Sequence, residues 1–105
     1  MKKNIQESIN KYVESAAEVF ASRFDIDNCI NRGRLRYCNA HVLEDEYYII
    51  LVSYSTIVAF VEKDTGYMFD ILRLVYGYTS TSAQHIAKFQ TDFCRFCVRH
   101  TYRPV

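Results

Sequence analysis

The chain has 105 residues and a mass of 12.4 kDa, half of it hydrophobic and 15% aromatic, enough for one compact core and short for two. Thirteen Lys plus Arg against twelve Asp plus Glu give a formal net charge of +1, which excludes a globally basic, histone-like protein and leaves any nucleic-acid binding to a local patch. Three Gly and one Pro beside nine Tyr and seven Phe exclude a low-complexity or linker-rich chain, so residues 1–105 read as a single ordered domain.

The basic start is followed by Gln6, Glu7, Asn10 and Lys11, which interrupt any apolar leader and exclude a secretory signal. From Ile5 to Phe24 the apolar residues Ile5, Ile9, Tyr12, Val13, Ala16, Ala17, Phe20 and Phe24 recur at steps of three and four, predicting an amphipathic helix. Glu7, Glu14 and Glu18 fall on another stripe and read as its solvated face. Asp25 to Gly33 is rich in cap and turn formers, with Gly33 expected as the exit into extended chain.

Arg34 to Val42 reads as a strand, separated by Glu44-Asp45-Glu46 from Tyr47 to Tyr54, whose β-branched and aromatic residues predict its hairpin partner. A third strand, Thr56 to Glu62, is closed by Lys63-Asp64-Thr65-Gly66, where Gly suits a positive φ. A fourth is expected from Tyr67 to Tyr76. Apolar residues fill both of its parities, so the sheet needs cover on much of both faces, or a partner chain over one.

After Gly77, Thr81 with Gln84 has capping-box spacing and predicts the start of a second helix. Ile86, Phe89, Phe93, Phe96, Cys97 and His100 share one helical arc, and Lys88, Asp92, Arg95 and Arg99 the opposite one. The expected fold class is α+β in the order α-β-β-β-β-α: an N-terminal helix, a four-stranded mainly antiparallel sheet and a C-terminal helix, with the two helices able to cover one face.

The segments Tyr54-Ser55-Thr56-Ile57-Val58-Ala59-Phe60 and Tyr78-Thr79-Ser80-Thr81-Ser82-Ala83-Gln84-His85-Ile86-Ala87-Lys88-Phe89 resemble a family of small proteins of unknown function encoded by phages and prophages of gut Firmicutes and related bacteria. In that family a Y-x-T-x-V-A-F strand precedes a Tyr, a Ser/Thr cluster and H-I-x-K-F. Ser82-Ala83-Gln84 stands here where a basic residue near the His is expected. The resemblance implies a phage-related origin and transfers no catalytic residue.

The longest apolar run, Ile49 to Val52, is far short of the roughly 20 residues of a membrane span, so a cytoplasmic protein without membrane partners is expected, in the host cytoplasm if phage-encoded. In that compartment Cys29, Cys38, Cys94 and Cys97 read as reduced, mostly buried thiols. Cys94, Cys97 and His100 with Cys38 or His41 have zinc-type ligand chemistry. Two residues three apart on a strand point to opposite faces, however, and Cys97 falls on the apolar arc, so no metal or cofactor is expected. A redox pair at Cys94 and Cys97 is disfavoured by its position late in the helix, away from the N-terminal dipole.

His85, in the first turn beside hydroxyls and free backbone N–H groups, is the best candidate for a small anion site, against the plainer reading of an exposed His on a capped helix. The basic residues Lys88, Arg95, Arg99 and Arg103, joined by Arg32, Arg34 and Arg36, suit a phosphate backbone or an acidic protein surface, with Tyr102 and Tyr37 nearby for stacking. Binding residues are therefore expected among His85, Lys88, Arg95, Arg99, Tyr102 and Arg103. No nucleophile elbow, P-loop or dinucleotide fingerprint is present, and Asp70 and Glu62 are the only names for an acid/base partner of His85. The expected function is a non-catalytic protein-binding or inhibitory module acting on a host or phage protein, a homodimer being one form of it. A nucleic-acid accessory protein is the second reading. A small enzyme is the third, and it requires a pocket in which His85 meets another polar group.

Overall fold

Buried Val13, Ala16 and Phe20 lie at helical spacing along α1 (Lys2–Arg23), confirming the expected N-terminal helix. The computed structural model describes residues 2–105, with side chains from residue 5 onward. After α1, Asp25 caps a short 3₁₀ turn at Ile26–Asn28 by accepting from the Asp27 N–H. The chain is extended by Ile30, earlier than expected, and Gly33, at φ 95°, is not the exit from the turn: it lies within the strand, at a bulge.

The segment Arg34–Val42 divides in two: β1 (Ile30–Arg34) ends where that strand was expected to begin, and β2 (Ala40–Glu44) follows a loop. A meander continues through β3 (Tyr48–Ser53), β4 (Thr56–Glu62) and β5 (Met68–Asp70). Successive strands are antiparallel, until β6 (Arg99–Thr101) joins β5 in parallel. The fold is thus α+β as expected, with six strands in the mixed, mainly antiparallel sheet instead of four.

The expected fourth strand stops at Asp70, whose carboxylate accepts the Leu72 N–H and bends the chain into the one-turn helix α2 (Leu72–Val75). α3 (Ser80–Phe93) starts two residues before the expected box: Thr79, not Thr81, is the N-cap, its hydroxyl accepting from the Ser82 N–H at 3.2 Å. The helix ends at Phe93, and Cys94 to Cys97 form a turn that delivers the chain to β6. A continuous helix to His100 is therefore corrected: Phe96 is 93% exposed.

The two helices cover opposite faces of the sheet, and not one face as expected, because alternate residues of the central strands are apolar on both sides. Val13, Ala16 and Phe20 of α1 pack with Tyr48, Ile50, Phe60 and Phe69, whereas Ile86 and Phe89 of α3 pack with Val42, Leu51, Ala59, Val61 and Met68. Period-two alternation along β3 separates these sets, and an extra residue in β4 lets Val58 and Ala59 both join the α3 side. Phe20 stacks on Phe60 at 4.4 Å with Tyr48 edge-on at 4.8 Å, and each fully buried aromatic contributes roughly 2–3 kcal/mol. Each apolar face of the sheet is thus covered by a helix of the same chain.

Candidate functional site

Ser53, the last residue of β3, shares the parity of Ile49 and Leu51 and faces α3. Ser82 and His85, three apart on α3, lie on the same helix face and meet it. The Ser53 hydroxyl lies 2.9 Å from Ser82 Oγ and 2.8 Å from His85 Nδ1, all three residues being buried. His85 is therefore not the exposed cap residue of the plainer reading. Burial, followed by the nearby Lys88 charge, pushes its pKa down, so the imidazole is neutral at pH 7.

Above this trio the β3–β4 turn places Tyr54 at φ 56°, a left-handed conformation that costs a non-glycine residue about 1–2 kcal/mol. Its ring lies 5.8 Å from that of His85. Beside it opens a cavity of about 280 Å³, walled by Ser53, Ser55 and Thr56 on one side and by Tyr76, Thr79, Thr81 and Ser82 at the start of α3 on the other. A second, shallower hollow on the far side of Tyr54 and Ser55 is lined by Arg34, Cys38, Asn39 and His41. No carboxylate lines either hollow among the described residues. Tyr54, Tyr76 and Tyr78 are each more than half exposed at this end, and the Arg73 guanidinium sits 4.4 Å over the Tyr78 ring. The acidic residues Asp45 and Glu46 line a separate hollow with Arg23, and Lys63 and Arg32 bind Glu44 and hold its carboxyl below the ordinary range.

Among the expected binding residues, only His85 and Lys88 approach this site. The Lys88 ammonium lies 3.3 Å from Cys38 Sγ. Arg99 turns inward from β6 to bind Asp70 at 2.7 Å and Gln90 at 3.1 Å. Arg95, in the turn, lies beside Phe96. Tyr102 packs against the α1 side, and the backbone of Arg103 is bound by Asn10. Arg36, placed with the basic residues, makes a bidentate pair with Asp92 at 2.7 and 2.9 Å. The expected basic residues thus lie on several elements and not along one helix.

Cys94 is buried and Cys97 half-buried, their Cα atoms 5.1 Å apart and so within pairing distance, which departs from the reading of all four cysteines as separate thiols. His100 sits instead among Tyr12, Tyr67 and Phe69 on the α1 side, so the zinc set is not brought together. Among the described residues no three His, Cys, Asp or Glu converge as metal ligands would. Sequence reasoning missed Ser53 and Tyr76. A lone hydroxyl at an inward position of an apolar strand was the available signal for the first, whereas Tyr76 was hidden in the expected fourth strand.

Fold and site together define a small α+β domain with a hydroxyl-lined hollow where the β3–β4 turn meets the start of α3. The chain belongs to a family of unknown function, DUF8033, whose profile matches residues 9–100. No curated protein and no solved structure is significantly similar to it. No helix among the described residues is long and apolar enough to cross a membrane.

Proposed function

We propose that this protein is a non-catalytic binding module that grips an acidic segment of a partner protein at the Tyr54 end of the sheet. The observation that carries the reading is the setting of the hydroxyl-lined cavity among the exposed rings of Tyr54, Tyr76 and Tyr78. Tyrosines offer large contact area at small entropic cost, and hydroxyls near a helix start donate to an acceptor inserted between them. Charge supports an acidic occupant: Arg34 and His41 line the adjoining hollow, Arg73 flanks Tyr78, and the cavity walls carry no carboxylate. Ser53 is 98% buried and held by two neighbours, so the Ser53–His85 pair reads as internal support for the wall and not as an exposed nucleophile. A phage-encoded origin, with a host defence or regulatory protein as partner, belongs to the same reading and rests on the short-motif resemblance.

Panning a random linear peptide library on the immobilised protein tests it. Peptides enriched in Asp or Glu are expected, shifting the amide resonances of residues 53–56 and 76–82 and binding the Tyr54→Ala/Tyr76→Ala variant at least tenfold more weakly. Failure to enrich acidic peptides, or equal binding to the double variant, would overturn the proposal.

A further inference from the structure

The turn from α3 to β6 carries chemistry that the hollow does not use. We infer that Cys94 and Cys97 are a reversible dithiol–disulfide pair, a redox modification site that closes the turn between the last helix and the last strand.

The backbone prepares the pair. Cys94 caps α3 by donating its N–H to Gln90 O at 2.9 Å, and the Cys97 N–H returns to Cys94 O at 3.2 Å. These bonds hold the Cα atoms at 5.1 Å, inside the window that a disulfide spans, so joining the sulfurs asks little of the main chain. The two sulfurs differ in access. Cys94 is 95% buried, near Gly66 O, whereas Cys97 is half-buried and can be reached from solvent.

Position also sets the kind of couple. Oxidoreductase pairs sit at helix N-termini, where the dipole stabilises the attacking thiolate. This pair sits at a helix C-terminus, whose carbonyl ends repel a thiolate, so the reduced form gains no such stabilisation and exchange is slow. A lasting, reversible closure fits that setting better than turnover.

With a low-molecular-weight disulfide RSSR as oxidant, the Cys97 thiolate attacks one sulfur, forming a mixed disulfide and expelling RS⁻, which takes up the proton that Cys97 released. Cys94 then loses its proton and attacks Cys97 Sγ. The Cys94–Cys97 bond forms, the mixed disulfide breaks, and the second thiol leaves protonated. Overall, two thiols and RSSR become one protein disulfide and two RSH, both electrons passing to RSSR.

Cys29 and Cys38 are free thiols in the same chain and serve as internal controls. The full chain would be equilibrated in buffers of stepped reduced-to-oxidised glutathione ratio, acid-quenched, alkylated and peptide-mapped by mass spectrometry. The peptide holding Cys94 and Cys97 is expected to lose both alkyl groups together and two hydrogens in mass, with no retained glutathione, while Cys29 and Cys38 form no disulfide with each other. Cys94→Ser should accumulate glutathione on Cys97, and Cys97→Ser should react at Cys94 at least tenfold more slowly, each variant first matched to the wild type by circular dichroism. Two alkylated cysteines in the most oxidising buffer, or a wild-type reaction that stops at the mixed disulfide, would overturn the inference. It is read on the wild-type chain, so a misfolded variant leaves it decided.

Discussion

The guanidinium of Arg99 reaches the Asp70 carboxylate at 2.7 Å, and that carboxylate is 3% exposed. Asp70 also receives the Leu72 N–H on its other oxygen, and its backbone carbonyl accepts from Tyr102. One buried acid therefore stops β5, starts α2 and holds the strand that carries its own counter-ion.

Removing that counter-ion strands the carboxylate. Arg99→Ala is expected to destabilise the fold by about 3 kcal/mol, the guanidinium being one-third exposed and so partly screened. Arg99→Ala/Asp70→Asn should recover part of the loss. Urea unfolding of the two variants measures both, and a single variant within 0.5 kcal/mol (roughly the scatter of a neutral surface change) would mean the pair contributes nothing.

Phe89 and Phe96 share one arc of a helix by sequence and have opposite environments in the fold. Phe89 is fully buried against the sheet and Phe96 is 93% exposed. Phe89→Ala should cost about 3–5 kcal/mol, and Phe96→Ala about 0.5 kcal/mol or less. Thermal melts that rank the pair the other way would show that α3 runs on through Cys94.

Acid should weaken the fold through His85. Its pKa lies below the ordinary 6.5 because it is buried, so the unfolded chain binds a proton that the native imidazole refuses. Stability present above that value is lost as pH falls towards the depressed native pKa. His85→Gln, which keeps a polar group beside Ser53, should flatten the urea midpoint between pH 7.5 and 5. Glu44 and Asp92, whose carboxyls are held below their ordinary ranges by Lys63 and Arg36, add a further loss in the same direction at lower pH. A wild-type midpoint that does not move between pH 7.5 and 5 contradicts the assignment.

His100 presents to the rings of Tyr12, Tyr67 and Phe69 a buried Nε2 that has no hydrogen-bond partner among the described residues. An unpaired buried polar atom opposes folding, so His100→Phe, similar in shape, should raise stability by about 1 kcal/mol. A loss of more than that amount, or a zinc-dependent melting temperature abolished by the variant, would return His100 to the ligand role that its spacing from Cys94 and Cys97 suggested.

Much of the architecture was legible in the residues. The spacing of Val13, Ala16 and Phe20 defines α1, and the run from Tyr48 to Ser53 admits little but a strand. Apolar residues on both parities after Tyr67 called for cover on both faces or a partner chain over one, but both helices were expected on a single face; the fold puts one on each, and nothing local says which lies where. The end of α3 was hidden because Phe96, Cys97 and His100 continue its period, and no Gly or Pro interrupts the chain before Pro104. Tertiary pairing of Arg99–Thr101 with β5 overrides that period. The site was half legible: His85 beside the Ser/Thr cluster marked the place, whereas its contact with Ser53 spans 32 residues and belongs to the fold alone.

The amide of Asn10 binds the backbone of Arg103 in both directions, donating to its carbonyl at 2.6 Å and accepting from its N–H at 2.9 Å across 93 positions. Such a clasp forms only after nearly the whole chain has been brought round on itself. On a ribosome, α1 must wait for it until Arg103 has cleared the exit tunnel. The meander can assemble earlier from neighbours in sequence, but this clasp closes late, and loosening either of its two partners frees the other.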